Sequence, residues 1–142
     1  MTSSDARYRL DLAQGFLAET EDHLENGSFR AAVDTSQLCV ENAIKAVASL
    51  FGPVPKTHEP REMLEEIAGQ VKLKRGEKQV LARLTVLGEV LGFELHVRVD
   101  YGDEASRTTP WMLYQKKDAT EAVSIAKEAL RIARGIVEGR LK

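Results

Sequence analysis

The chain of 142 residues contains a single cysteine, which excludes an internal disulfide framework. Cys39 falls in an apolar-periodic segment and is expected to pack as a small hydrophobe rather than to react. No apolar run approaches the roughly 18 residues that a bilayer-spanning helix needs. The polar start MTSSDARYR also lacks the apolar centre of a secretory signal, so the expected location is cytoplasmic. Neither sign of charge dominates: 20 Lys and Arg face 22 Asp and Glu, a net charge of -2. That balance argues against a protein whose main task is coating nucleic acid, while a local basic patch remains compatible with it. Gly-rich phosphate loops of the P-loop or dinucleotide type are absent. His23, His58 and His96 lie far apart, and none stands at metal-ligand spacing from another His or from Cys39, so neither a metal nor another cofactor is expected. No nucleophile motif marks a Ser or Cys hydrolase.

Sustained polar/apolar alternation with β-branched enrichment is missing too, and with it the mark of strands. Helical spacing takes its place. Ala6, Leu10, Ala13, Leu17, Thr20 and Leu24 recur at steps of four and three, predicting a first helix from about Ser4 to Asn26. Asn26-Gly27 supplies a left-handed stop, and Ser28 can cap the next helix by accepting a backbone hydrogen bond. That second helix, FRAAVDTSQLCVENAIKAVASLF, carries two apolar seams. Ala32, Ser36, Cys39, Ala43, Ala46 and Leu50 form a small one; Phe29, Val33, Val40, Ile44, Val47 and Phe51 form a bulky one. Both must be buried, the bulky seam either by further helices of the chain or by a second subunit.

The segment FGPVPKTHEP reads as a loop, after which Pro60 suits the first turn of a short third helix with Met63, Leu64, Ile67 and Ala68 on its apolar stripe. A fourth helix carries Val80, Leu84, Leu87 and Leu91 and ends near Gly92 or runs on toward His96. A connection follows, FELHVRVDYGDEASRTTPW, crowded with ionisable side chains. Asp118 and Glu121 resemble a capping box that opens a fifth helix reaching about Arg140, with the seam Ala122, Ala126, Ala129, Ala133 and Ile136. The expectation is one all-α domain over residues 1–142, an up-and-down antiparallel bundle of about five helices.

Glu41 and Lys45 stand at i and i+4, the order of a helical ion pair on a solvated face. The sharper alternative makes Lys45 a phosphate contact. Lys56, Thr57 and His58 shape the turn before the third helix, or else form an anion site at its N-terminus. In the connection, Tyr101 and Trp111 are expected to anchor the loop to the bundle with the charges in solvent. Alternatively His96, Arg98, Tyr101 and Arg107 face a nucleotide or a partner chain.

The string AAVDTSQLCVENAIKA followed by the Pro-rich loop ending in Thr57-His58 resembles the HEPN domain, a helical-bundle family named for its occurrence in higher eukaryotes and prokaryotes and its proposed nucleotide binding. Ala32, Gln37, Glu41, Ala43, Lys45, Ala46 and His58 carry the resemblance, with Tyr101, Gly102-Asp103, Pro110, Tyr114 and Ala119 in the order of the family's C-terminal half. It implies an up-and-down bundle that commonly forms a homodimer. It also implies one of two roles: a ribonuclease or toxin with an Arg followed four to six residues later by a His, or a module that binds nucleotides or pairs with a small nucleotidyltransferase. None of the three histidines has that Arg before it, and if Tyr101 is the tyrosine after the motif, Glu94 and Val99 stand where Arg and His would. A carboxylate at Glu94 would repel an RNA backbone. The reading is a non-catalytic, dimeric module of a toxin–antitoxin-like pair, with no catalytic residues and with Lys45, His58, His96, Arg98, Tyr101 and Arg107 as candidate ligand contacts. The alternative is an enzyme acting on RNA or nucleotides through His58, His96 and Arg98.

Overall fold

A computed structural model describes residues 3–57, 60–70 and 73–141, apart from the side chains of residues 3, 70, 93, 94 and 96. Among these residues the chain forms α1 (Ser3–Glu25), α2 (Phe29–Ala48), α3 (Arg61–Gln70), α4 (Glu77–Val90), α5 (Phe93–Tyr101), α6 (Pro110–Leu113) and α7 (Lys116–Arg140). The five expected helices are α1 to α4 and α7. The two further ones, α5 and α6, are short and lie inside the segment read as a connection.

α1 ends where Gly27 takes φ of +77°, letting the Gly27 and Ser28 amides turn back to the carbonyls of Leu24 and His23. Only glycine adopts that φ without cost. α2 therefore returns antiparallel to α1, joined to it by buried hydroxyls of Thr20 and Thr35 2.5 Å apart. α7 runs alongside α2 in the same direction: Cys39 Sγ lies 3.8 Å from the Ala126 carbonyl, and Arg140 covers the Phe51 ring at the far end. α4 opposes α7, since Arg83 pairs with Glu128 and Glu77 with Arg140. The long helices thus alternate in direction along the chain.

α2 occupies the centre. Its small residues Ala32, Cys39, Ala43 and Ala46 are fully buried, as are Ala126, Ala129 and Ala133 of α7. Small side chains let the two backbones approach closely. The bulky seam is covered by the same chain, with Val40 at 0 % and Ile44 at 1 % exposure beneath α3, α4 and their connections. Gly88 of α4 permits this: a Cβ there would lie 2.6 Å from Ile44 Cδ1. Both seams are satisfied without a second subunit, and any assembly of the chain uses another surface.

Two caps differ from expectation. Ser28 stands at the N-cap of α2 but makes no side-chain cap bond. The capping box of α7 lies three residues earlier than expected, between Gln115 and Asp118, with the Gln115 amide donating to Asp118 at 2.8 Å. Asp118 is the acid at the third helical position of the box rather than its cap, because helical backbone already starts at Lys116.

Candidate functional site

The sequence candidates fall in different places. Lys45 is 7 % exposed and Glu41 5 %, with Nζ 3.3 Å from Oε2, so the expected ion pair forms inside the bundle rather than on a solvated face. The reason is α2's central position, which leaves no solvated side for an i, i+4 pair to occupy. Glu41 and, one turn earlier, Gln37 face Pro60, Arg61 and Gly88 as a polar stripe. The space beside the stripe is only about 10 Å³, room for no more than a water. His58 lies outside the described residues. His96 belongs to α5, but its side chain is likewise outside them.

Arg98 and Tyr101 also lie on α5, which buries Val99 and leaves Tyr101 67 % exposed. Arg107 is exposed in the turn closed by the Asp103–Thr108 bridge, with φ of +57°. The anchors expected of this segment are different residues. Trp111 and Tyr101 project outward, while Tyr114 at 9 % exposure and the buried Val99 and Pro110 hold it to the bundle. Trp111 projects because α6 is one turn long and turns its other side, through Pro110, to the core.

A larger concavity of about 390 Å³ opens where the first turn of α2 meets α6 and the start of α7. Gly27 to Ala31 form one wall; Trp111, Tyr114 and Gln115 form the other. Because Ser28 does not cap, the amides of Phe29, Arg30 and Ala31 have no acceptor among the described residues. Arg30 reaches across the opening and donates through Nη1 to the Val99 carbonyl at 3.1 Å and to Asp100 at 3.5 Å. Its guanidinium carbon lies 5.9 Å from the centre of the Trp111 ring, a cation–π distance. Burial pushes the Tyr114 hydroxyl above its ordinary pKa; the charge of Arg98 opposes that shift and Asp118 reinforces it. At neutral pH Tyr114 is therefore a neutral donor.

Among the described residues, this arrangement offers donors, a cation and an aromatic face, and its lining holds no histidine or carboxylate. That lining suits the binding of an electron-rich group. Of the described sequence candidates, Arg98 is near enough for its charge to act on Tyr114. Arg30, Ser28, Tyr114 and Gln115 escaped the sequence reading as a site because the concavity joins two segments far apart in the chain. The lone Trp beside Pro110 was the one local signal pointing to it.

The HEPN domain family model matches residues 6–136. Two solved structures share the fold. TT1696 from Thermus thermophilus is 20 % identical with a TM-score of 0.67, over 92 % of this chain and 97 % of that one. ST0689, described as an archaeal HEPN homologue, is 19 % identical with a TM-score of 0.62, over 93 % and 97 %. No curated protein sequence matches the chain significantly.

Proposed function

Because this chain belongs to the HEPN domain family, we propose that it works as a non-catalytic HEPN module, a homodimer that binds a nucleotide and pairs with a small nucleotidyltransferase in a toxin–antitoxin-like system. The observation that carries this reading is the concavity at the start of α2, whose described lining offers donors, a cation and an aromatic face and no histidine or carboxylate. The missing Arg–His spacing agrees with it. The alternative of an RNA-processing enzyme would need a histidine at the concavity, and none is present among its described lining residues.

Assembly needs a surface outside the core, and the α5–α6 edge is the one this reading assigns. Tyr101, Trp111 and Met112 are 67 %, 69 % and 65 % exposed there, with Val97 at 42 %. Large side chains of this kind are enriched at subunit contacts. Light scattering on the purified protein is expected to give twice the chain mass, and Tyr101→Ser with Met112→Ser to give a monomer. Purification from the native host is expected to bring a nucleotidyltransferase along. A wild-type monomer that co-purifies with nothing would sink the proposal.

A further inference from the structure

We infer that the groove between the start of α4 and the C-terminal half of α7 is a docking surface for an acidic amphipathic helix of a partner protein. Two ion pairs bracket this groove. Glu77 meets Arg140 at one end and Arg83 meets Glu128 at the other, each through two hydrogen bonds of 2.7 to 2.8 Å. Between those pins the helices part, leaving a volume of about 380 Å³ with Val80, Ile132, Gly135 and Ile136 among its lining. Val80 is 36 % exposed, while Ile132 and Ile136 retain 7 % and 8 %, so the floor is apolar and meets solvent.

Gly135 keeps the groove open. It lies inside α7 with φ outside the left-handed region, and a Cβ there would meet nothing within 4 Å. Glycine weakens a helix interior relative to alanine, and no packing among the described residues requires it at this position. Its absent side chain instead lets a second helix lie close against α7 from outside.

The rim selects the occupant by charge. Lys74, Arg75 and Arg131 border the groove, and the turn of Lys74, Arg75 and Gly76 joins it to a second concavity of about 590 Å³ lined by Lys78. All four cations are exposed, and none forms an ion pair among the described residues. Among the described lining residues Glu77 is the one carboxylate, and it is already held by Arg140 and by the Lys74 amide. An apolar floor beneath an unneutralised cationic rim complements apolar side chains flanked by carboxylates. Two concavities in succession suit an elongated occupant, and an amphipathic helix laid in a groove presents its anchors along one face. α3 of this chain exposes Glu62, Glu65 and Glu66 but turns Leu64 and Ile67 to the core, so a second copy does not offer that face through α3.

The groove shares no lining residue with the concavity at the start of α2 and lies outside the α5–α6 edge, so its occupancy is separable from nucleotide binding and from the dimer contact assigned above. The probe is a fluorescein-labelled amphipathic peptide of leucine, alanine and glutamate, about 18 residues long so that it holds a helix. Its control carries lysine in place of each glutamate. Fluorescence anisotropy at low ionic strength is recorded for the wild type, Gly135→Leu, and Arg75→Glu with Arg131→Glu. Wild type is expected to bind the glutamate peptide roughly tenfold or more tightly than the lysine peptide. Gly135→Leu fills the groove without touching the chain's own packing, so its Tm should hold or rise while the affinity falls about tenfold. The charge-reversed variant should prefer the lysine peptide. No binding of the glutamate peptide at about 1 mM, equal affinity in wild type and Gly135→Leu, or equal affinity for the two peptides overturns the docking surface. A dimer that light scattering shows to be lost in Gly135→Leu would seat a second copy in the groove, overturning both the acidic partner and the α5–α6 contact. Loss of the dimer in Tyr101→Ser with Met112→Ser, with peptide binding intact, supports both surfaces.

Discussion

Lys45 teaches the most at the scale of the residue. Spacing alone marked it and Glu41 as an ion pair, and the pair exists, but the environment is the opposite of the expected solvated face. Periodicity tells which residues share a side of a helix and cannot tell whether that side meets water once a helix is covered all round. Burial changes the energetics: removing one partner strands a charge in the interior. Lys45→Met is expected to destabilise the fold by about 3–5 kcal/mol, whereas Lys45→Met with Glu41→Leu should cost far less or nothing. Chemical denaturation of both variants checks this; a double variant as unstable as the single one would refute it. Arg107 offers the reverse case. It holds φ of +57° in an exposed turn, where a side chain is strained and glycine is not. Arg107→Gly should therefore hold or raise stability by up to about 1 kcal/mol, while Gly102→Ala, whose Cβ would run into the Thr108 carbonyl, should lower it.

Between elements, the chain relies on a few close approaches that sequence spacing did not mark. Gly88 has no side chain to mark in the apolar seam of α4, yet it sets how near α4 comes to α2. Gly88→Ala puts a methyl 2.6 Å from the flexible end of Ile44, which must rotate away. Overpacking of this kind costs about 1–3 kcal/mol, and trimming Ile44 to Val in the same background should return part of it. A double-mutant cycle with no coupling would show that the two helices adjust independently. The opposite end of α4 is held by charge: Arg140 of α7 grips Glu77 through two 2.8 Å hydrogen bonds. Burial pushes the Glu77 carboxyl up, but the Arg140 hydrogen bond, the Lys74 amide and both positive charges outweigh it and hold its pKa below the ordinary 4.5. A carboxyl depressed in the folded state adds stability that is fully present above its unfolded pKa and is lost as pH falls through the folded value. Glu77→Gln is thus expected to lower stability at pH 7 and to flatten the decline below about pH 4.5, read from Tm across an acid titration.

For the molecule as a whole, the all-α bundle was legible because long seams such as Ala6 to Leu24 and Ala122 to Ile136 record burial at a helical period. The candidate site was far less legible. It depends on a cap that Ser28 does not make, on an arginine crossing between segments, and on an aromatic wall from α6, none of which leaves a periodic trace. The two seams of α2 posed a question only the fold could answer, namely whether the chain or a second copy covers the bulky one. With Val40 at 0 % exposure beneath its own chain, Val40→Glu buries an unpaired carboxylate in the core. The expected result is loss of cooperative unfolding and of helical circular dichroism at ordinary temperature, not a well-folded monomer. Tyr101→Ser with Met112→Ser should do the opposite, altering the solution mass and leaving the intrinsic stability of each folded chain nearly unchanged, since those side chains bury little within it. Comparing mass and circular dichroism for the two variants separates core from contact surface. A folded, dissociated Val40→Glu protein would place the subunit interface on α2 and remove the α5–α6 edge from consideration.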